Sequence, residues 1–250
     1  MTLMRPWFAV FVSAAALFPA PVLAGPAESG TQYLATIASM TKMVRVQIKE
    51  GADLTPAAVG TQLPEGAQVV TLADAKCEVR FTQAHFVRLG PDSRLKIARM
   101  ERKKGARVLL QLLAGRVKAM INRSLGEEAD FGIYGATTVT AVKGTDYDMA
   151  RDEKDIVTVL INDGRVNVAE LKSDKPEELD RVFTALLLGR IGFDMRAGKM
   201  LTVTPGSLFP SPVPIPPGMK TPWGDNTPAP GAAPKKPGAP GFPGMGFGMP

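Results

Sequence analysis

The chain reads as all-β: stacked short antiparallel strands, sandwich-like or an irregular β-solenoid, with one amphipathic helix near 175–188. Three observations lead there. Between residues 44 and 168, short runs rich in β-branched and apolar side chains recur about every 8–12 residues, each bounded by Gly, Pro, Asn, Asp or Ser. Within the runs apolar and polar residues alternate, as in SRLKI, where Leu95 and Ile97 share one face and Arg94 and Lys96 the other. A single later segment changes its period to that of a helix.

Taken in order, the first segment is MTLMRPWFAVFVSAAALFPAPVLA, with one positive charge at Arg5, an apolar stretch from Trp7 to Phe18 and small residues ending at Ala24. It reads as a secretory signal peptide over 1–24, so the protein is expected to be exported to the periplasm or beyond the cell. A membrane anchor is the rival reading, but a spanning helix takes about 20 apolar residues and Pro19 and Pro21 interrupt the run. Residues 25–43 read as a linker, and 44–204 as the β domain. Its strands are VRVQI, GAQVVTL, KCEVRF, HFVRL, SRLKIARM, RVLLQLL, GRVKAMI, TTVTAVK, YDMARD, IVTVLI and GRVNVAEL. Leu89-Gly90-Pro91-Asp92-Ser93 combines a flexible φ, a fixed φ and capping oxygens, which predicts a hairpin corner. Asn162-Asp163-Gly164 tolerates the positive φ of a primed turn and is the strongest short hairpin signal.

In SDKPEELDRVFTALLLG, Leu179, Val182, Phe183, Leu186 and Leu187 fall at helical spacing. Ser173 or Asp174 can cap this helix, Pro176 suits its first turn and Gly189 can end it. IGFDM and KMLTV, joined by Arg196-Ala197-Gly198, predict a last hairpin. From Pro205 the composition shifts to Pro and Gly, with too few apolar side chains to offset ordering, so 205–250 is expected to be disordered or polyproline II.

With a single cysteine, Cys77, no internal disulfide can form, and the fold must rest on its core. Cys77, Val79 and Phe81 share one strand face, which makes Cys77 a buried thiol. The single histidine, His85, has no second histidine or cysteine cluster with which to hold zinc or build a histidine-based triad. No cofactor-binding fingerprint is present.

Three clusters bear on chemistry. In TTVTAVKGTDYDM, Asp146 and Asp148 lie two apart, about 6–7 Å along one strand face, the spacing of an acid–base pair or of a solvated face opposite Tyr147 and Met149. The solvated face is the preferred reading, with Gly144 marking a bulge or bend. Asp146, Asp148, Asp152, Glu153 and Asp155 supply calcium-type oxygens without EF-hand spacing, and a metal-free hairpin loop is preferred. Arg94, Lys96, Arg99, Arg102, Lys103, Lys104 and Arg107, opposed only by Glu101, could meet an anionic polymer or acidic protein, or could simply protect a sheet edge from aggregation. They lack the interleaved aromatics that nucleic acid would stack on.

ADAKCEVRFTQAHFVRLGPDSRLKI, then LLQLLAGRVKAMI, then YGATTVTAVKGTDYDMA, then VTVLINDGRVNV, resemble in that order the FecR domain over roughly 60–169. The positions carrying the resemblance are Gly90, Gly115, Arg116, Val117, Gly144, Thr145, Gly164, Arg165 and Val166, read as structural. The resemblance implies an all-β extracytoplasmic unit. The best-understood members hold a sigma factor on the cytoplasmic side, cross the membrane once and sense an outer-membrane transporter. This sequence departs from that plan: it has no cytoplasmic regulatory region, and Gln83-Ala84-His85 stands where the family often carries Asp-Gly. The expected role is a non-catalytic binding or scaffold module of the bacterial cell envelope, with an envelope protein or anionic envelope polymer as partner. The alternatives are a sensory domain in envelope signal transduction working with a separate membrane protein, and a hydrolase using the paired Asp residues.

Overall fold

The structure, a computed structural model, describes residues 35–102, 106–122, 129–217 and Met219. The expected signal peptide, Lys103 and Lys104, and most of the Pro/Gly-rich stretch lie outside these residues. In chain order the first strands are β1 (Ala35–Thr41), β2 (Val44–Gln47), β3 (Thr55–Pro56), β4 (Gln62–Leu63), β5 (Gln68–Thr71), β6 (Lys76–Arg80) and β7 (His85–Leu89). Longer ones follow: β8 (Arg94–Arg102), β9 (Ala106–Ile121), β10 (Ala129–Gly135), β11 (Thr138–Arg151) and β12 (Val157–Glu170). Helix α1 (Pro176–Leu187) precedes β13 (Phe193–Arg196), β14 (Lys199–Val203) and β15 (Val213–Pro214). The described residues are all-β with one helix, as the two-residue alternation and the one helical stretch predict.

All the strands join one hydrogen-bonded sheet that doubles back on itself. The first half of β9 lies between β8 and β10, and its second half between β7 and β11. β11 and β12 likewise change neighbours midway. One layer therefore runs β3-β2-β5-β8-β9-β10-β11-β12-β13, and the other β15-β14-β12-β11-β9-β7-β6-β1-β4. The inward positions of both, among them Val69, Leu95, Leu110 and Ile133 in the first and Val79, Val87, Ala119 and Met149 in the second, form one core. Across it Phe81 meets Phe131 edge to face, ring centroids 5.6 Å apart, and the Tyr147 hydroxyl lies 2.9 Å from Thr140 Oγ1. The β9–β10 pairing is parallel. β9 has left for the second layer by the time the chain returns, so β10 enters beside the start of β9 and runs the same way.

The strands read as RVLLQLL and GRVKAMI, TTVTAVK and YDMARD, and IVTVLI and GRVNVAEL are in each case one long strand with a bend. Gly115 (φ 81°), Gly144 (φ 113°) and Gly164 (φ 83°) stand at these bends. Asn162-Asp163-Gly164 is accordingly not a hairpin turn: pairing with β11 continues on both sides of it, and the positive φ serves a bulge. The Gly90–Ser93 segment is a corner but not a hairpin, because β7 and β8 lie in different layers and both pair with β9. β13 and β14 do not form a hairpin either. They run in series along β12, with the Ala197 and Gly198 N–H groups donating to the Gly164 and Ile161 carbonyls. Residues 35–41, assigned to a linker, form β1, because Ala35 and Ile37 alternate into the core between β4 and β6. Within 205–217, expected to be loose, β15 pairs with β14, and Phe209 stacks on Phe193 with centroids 5.7 Å apart.

Helix α1 covers the outer face of the first layer. Leu179, Val182, Phe183 and Leu186 are buried over Leu109, Tyr134, Val139, Ala141 and Ala169. Gly132 makes the close approach possible, since a Cβ there would collide with the Phe183 ring. The expected Ser173 or Asp174 cap is not formed: the N-cap residue is Lys175, without a side-chain cap bond. Pro176 in the first turn has no N–H to satisfy.

Candidate functional site

The glycines that carry the family resemblance sit where strands pass between layers. A Cβ on Gly115 would lie 2.5 Å from Ser93 Oγ and 2.6 Å from the Asp92 carbonyl oxygen. Ser93 Oγ accepts the Arg116 N–H (2.9 Å) and lies 3.1 Å from the Arg116 carbonyl, which also accepts the Gly90 N–H (3.0 Å). Val117 then enters the core. At the other bend a Cβ on Gly164 would meet the Gly144 carbonyl oxygen at 2.8 Å, the Thr145 hydroxyl donates to the Arg165 carbonyl (2.6 Å), and Val166 is buried. Each Gly-Arg-Val thus bends a strand, lends its arginine carbonyl to a neighbouring hydroxyl and returns a valine to the core. These residues sit at separate corners and do not converge on one site.

Asp146 and Asp148 lie on the outer face of the second layer, opposite Tyr147 and Met149. That face is not a solvated one here: Asp148 is 1 % exposed and Lys118 4 %. The Lys118 ammonium lies 3.1 Å from Asp146, and the Asn162 amide donates to Asp146 (3.0 Å) and Asp148 (2.7 Å). Register explains the burial. Glu78, Arg88, Lys118 and Asp148 face one another across β6, β7, β9 and β11, so long side chains of alternating charge cover their neighbours. Glu78 in turn accepts from Arg80 (2.7 Å) and Arg88 (3.0 Å), and both guanidiniums lie over the Phe86 ring. The two carboxylates are thus members of an ion-pair row, and Asp148 offers no accessible surface to a substrate. The parity of Glu78 and Arg80 in KCEVRF signals their face, but the pairing with Lys118 and Asn162 depends on register that the sequence does not disclose.

Asp152, Glu153 and Asp155 occupy the β11–β12 hairpin, where Asp152 Oδ1 accepts the Lys154 (2.9 Å) and Ile156 (2.8 Å) N–H groups and Asp155 pairs with Arg151 (2.7 Å). No group of three or more His, Cys, Asp and Glu among the described residues could hold a metal. Cys77 is buried on the core face of β6, as the alternation predicts, and desolvation, aided by the nearby Glu78 carboxylate, pushes its thiol up to about 12. His85 is also buried.

The basic residues are divided by the fold. Arg99 pairs with Asp180 of α1 (2.8 Å), and Arg107 reaches both Asp180 (3.1 Å) and Thr184 (2.7 Å) while lying over the Phe183 ring. Lys96 pairs with Glu50 (3.1 Å). Arg94 is exposed and makes no ion pair among the described residues. Arg102 ends β8, with Lys103 and Lys104 following outside the described residues. Of these residues, Arg99 and Arg107 therefore reach the helix. Between the first turn of α1 and strands β8, β9 and β10 lies a groove of about 260 Å³, bordered by Lys96, Gln111 and Tyr134 below and by Asp174, Pro176 and Leu179 above. Desolvation, and secondarily the Asp174 carboxylate, raises the Tyr134 hydroxyl to about 12, so it remains a proton donor.

Residues 67–167, from just before β5 to near the end of β12, match the family model described as FecR protein. No curated protein matches the chain. Among solved structures, two crystal structures of a candidate anti-sigma factor from Parabacteroides distasonis, at 1.65 and 2.50 Å resolution, are similar at 12% identity and a TM-score of 0.40. Each match covers 55% of this chain and 54% of that one, so the chain spans about half the length of those structures.

Proposed function

From the FecR match over residues 67–167 we propose that the chain is a non-catalytic sensory domain in envelope signal transduction, recognising a protein partner and acting with a separate membrane protein. The match carries this reading because it falls on the two-layer body, from β5 through most of β12. The burial of Asp148 and the pairing of Asp146 with Lys118 argue against a hydrolytic use of the two carboxylates. Among the described residues no helix is long and apolar enough to cross a membrane.

The test is crosslinked capture from envelope fractions, using the chain with and without residues 205–250, followed by reciprocal capture from the enriched protein. One membrane protein should be recovered in both directions and should survive washing at about 0.5 M salt, where exposed-charge attraction is largely screened. Retention that disappears with modest salt and enriches no single protein defeats the signalling reading and leaves the scaffold module attached to an anionic polymer.

A further inference from the structure

The groove beside α1 continues as a row of polar side chains. Gln68, Lys96, Gln111 and Tyr134 are successive cross-strand neighbours on β5, β8, β9 and β10. All four stand on the outer face, because Val69, Leu95, Leu110 and Ile133 beside them point into the core. At about 4.8 Å per strand the row covers about 14 Å, the reach of a short oligosaccharide.

The polar groups of this row are unevenly used. The Gln68 and Gln111 amides and the Tyr134 hydroxyl make no hydrogen bond among the described residues, although both glutamines are half-buried and Tyr134 is 6% exposed. The cations are engaged: Lys96 with Glu50 and Arg99 with Asp180. Paired cations and the Asp174 carboxylate, exposed at the groove without an ion pair among the described residues, disfavour an anion, and the open donors and acceptors suit a polar, uncharged ligand whose hydroxyls can donate to that carboxylate. The position also discriminates between ligands. Strand backbone groups on a sheet face are already paired in ladders, so a peptide cannot bind here by adding a strand, and any ligand is held through the side chains alone.

We propose that this row and the groove above it form a glycan-binding site, in which the Gln68 and Gln111 amides and the Tyr134 hydroxyl hydrogen-bond the hydroxyls of an uncharged oligosaccharide, and the exposed Pro176 ring packs on an apolar ring face.

Purified full chain on an array of neutral glucose and N-acetylglucosamine oligomers, with sulfated and uronic-acid oligomers beside them, should bind a neutral one. Calorimetry with that oligomer should then show Gln68→Ala and Gln111→Ala each weakening binding about 5- to 10-fold, the worth of a lost hydrogen bond. Tyr134→Phe, which removes a hydroxyl with no internal partner, should weaken it without changing the melting temperature. Thr158→Ala, on the opposite layer, should bind as the parent does. Absence of any neutral binder, preference for the anionic oligomers with loss on Arg94→Ala, or unchanged affinity in both glutamine variants overturns the proposal.

Discussion

Gly164 and Gly198 both adopt positive φ, 83° and 79°, yet their surroundings differ. Around Gly164 the chain is crowded: the Gly144 carbonyl oxygen lies where a side chain would begin, and Thr145 closes the other side. Around Gly198 there is open space. Substituting alanine at Gly198 therefore incurs only the left-handed backbone penalty, about 1 kcal/mol. At Gly164 it adds a displaced strand and a weakened Thr145–Arg165 hydrogen bond, for a loss of about 3 kcal/mol. Urea denaturation of Gly164→Ala and Gly198→Ala measures the difference. Equal losses at the two positions would mean that φ alone, and not the approach of β11 to β12, governs the bend.

Helix α1 is held by two kinds of contact of unequal weight. Phe183 is fully buried against Gly132 and under the Arg107 guanidinium, 5.3 Å from its ring centre. Asp180, which pairs with Arg99 and Arg107, keeps 42% of its side chain exposed, so water already screens those pairs. Phe183→Ala should cost about 3 kcal/mol and Asp180→Asn under about 1 kcal/mol, read from urea midpoints of the two variants. A larger loss in Asp180→Asn would make the charges, and not the ring, the fastening of the helix. The helix itself was readable in SDKPEELDRVFTALLLG because its apolar stripe is local and uninterrupted. The length of β9, β11 and β12 was not, because a glycine flanked by two strand-like runs suits a hairpin and a bulge equally well until the partner strands are known. The same limit applies to function: the Asp146–Asp148 spacing was visible, while Lys118 and Asn162, which occupy those carboxylates, arrive from other strands.

Three strands shared by two layers change how the molecule can open. In a sandwich of separate sheets, one sheet can loosen while the other stands. Here β9, β11 and β12 each contribute to both, so parting the layers breaks ladders on either side of Gly115, Gly144 and Gly164 at once. The core that joins them is continuous, with Phe81, Phe131, Tyr147 and Met149 packed in one cluster. Opening should therefore be global for the long strands and local only at the two-residue edge strands β3, β4 and β15. Native-state hydrogen exchange is expected to give the ladder-bonded amides of β7 and β10, which lie in different layers, the same opening free energy, equal to that of urea unfolding. The edge strands should exchange orders of magnitude faster. If β10 exchanged well ahead of β7 under native conditions, the layers would be separable, and the bends at the glycines would act as hinges instead of the joints that make the fold one cooperative unit.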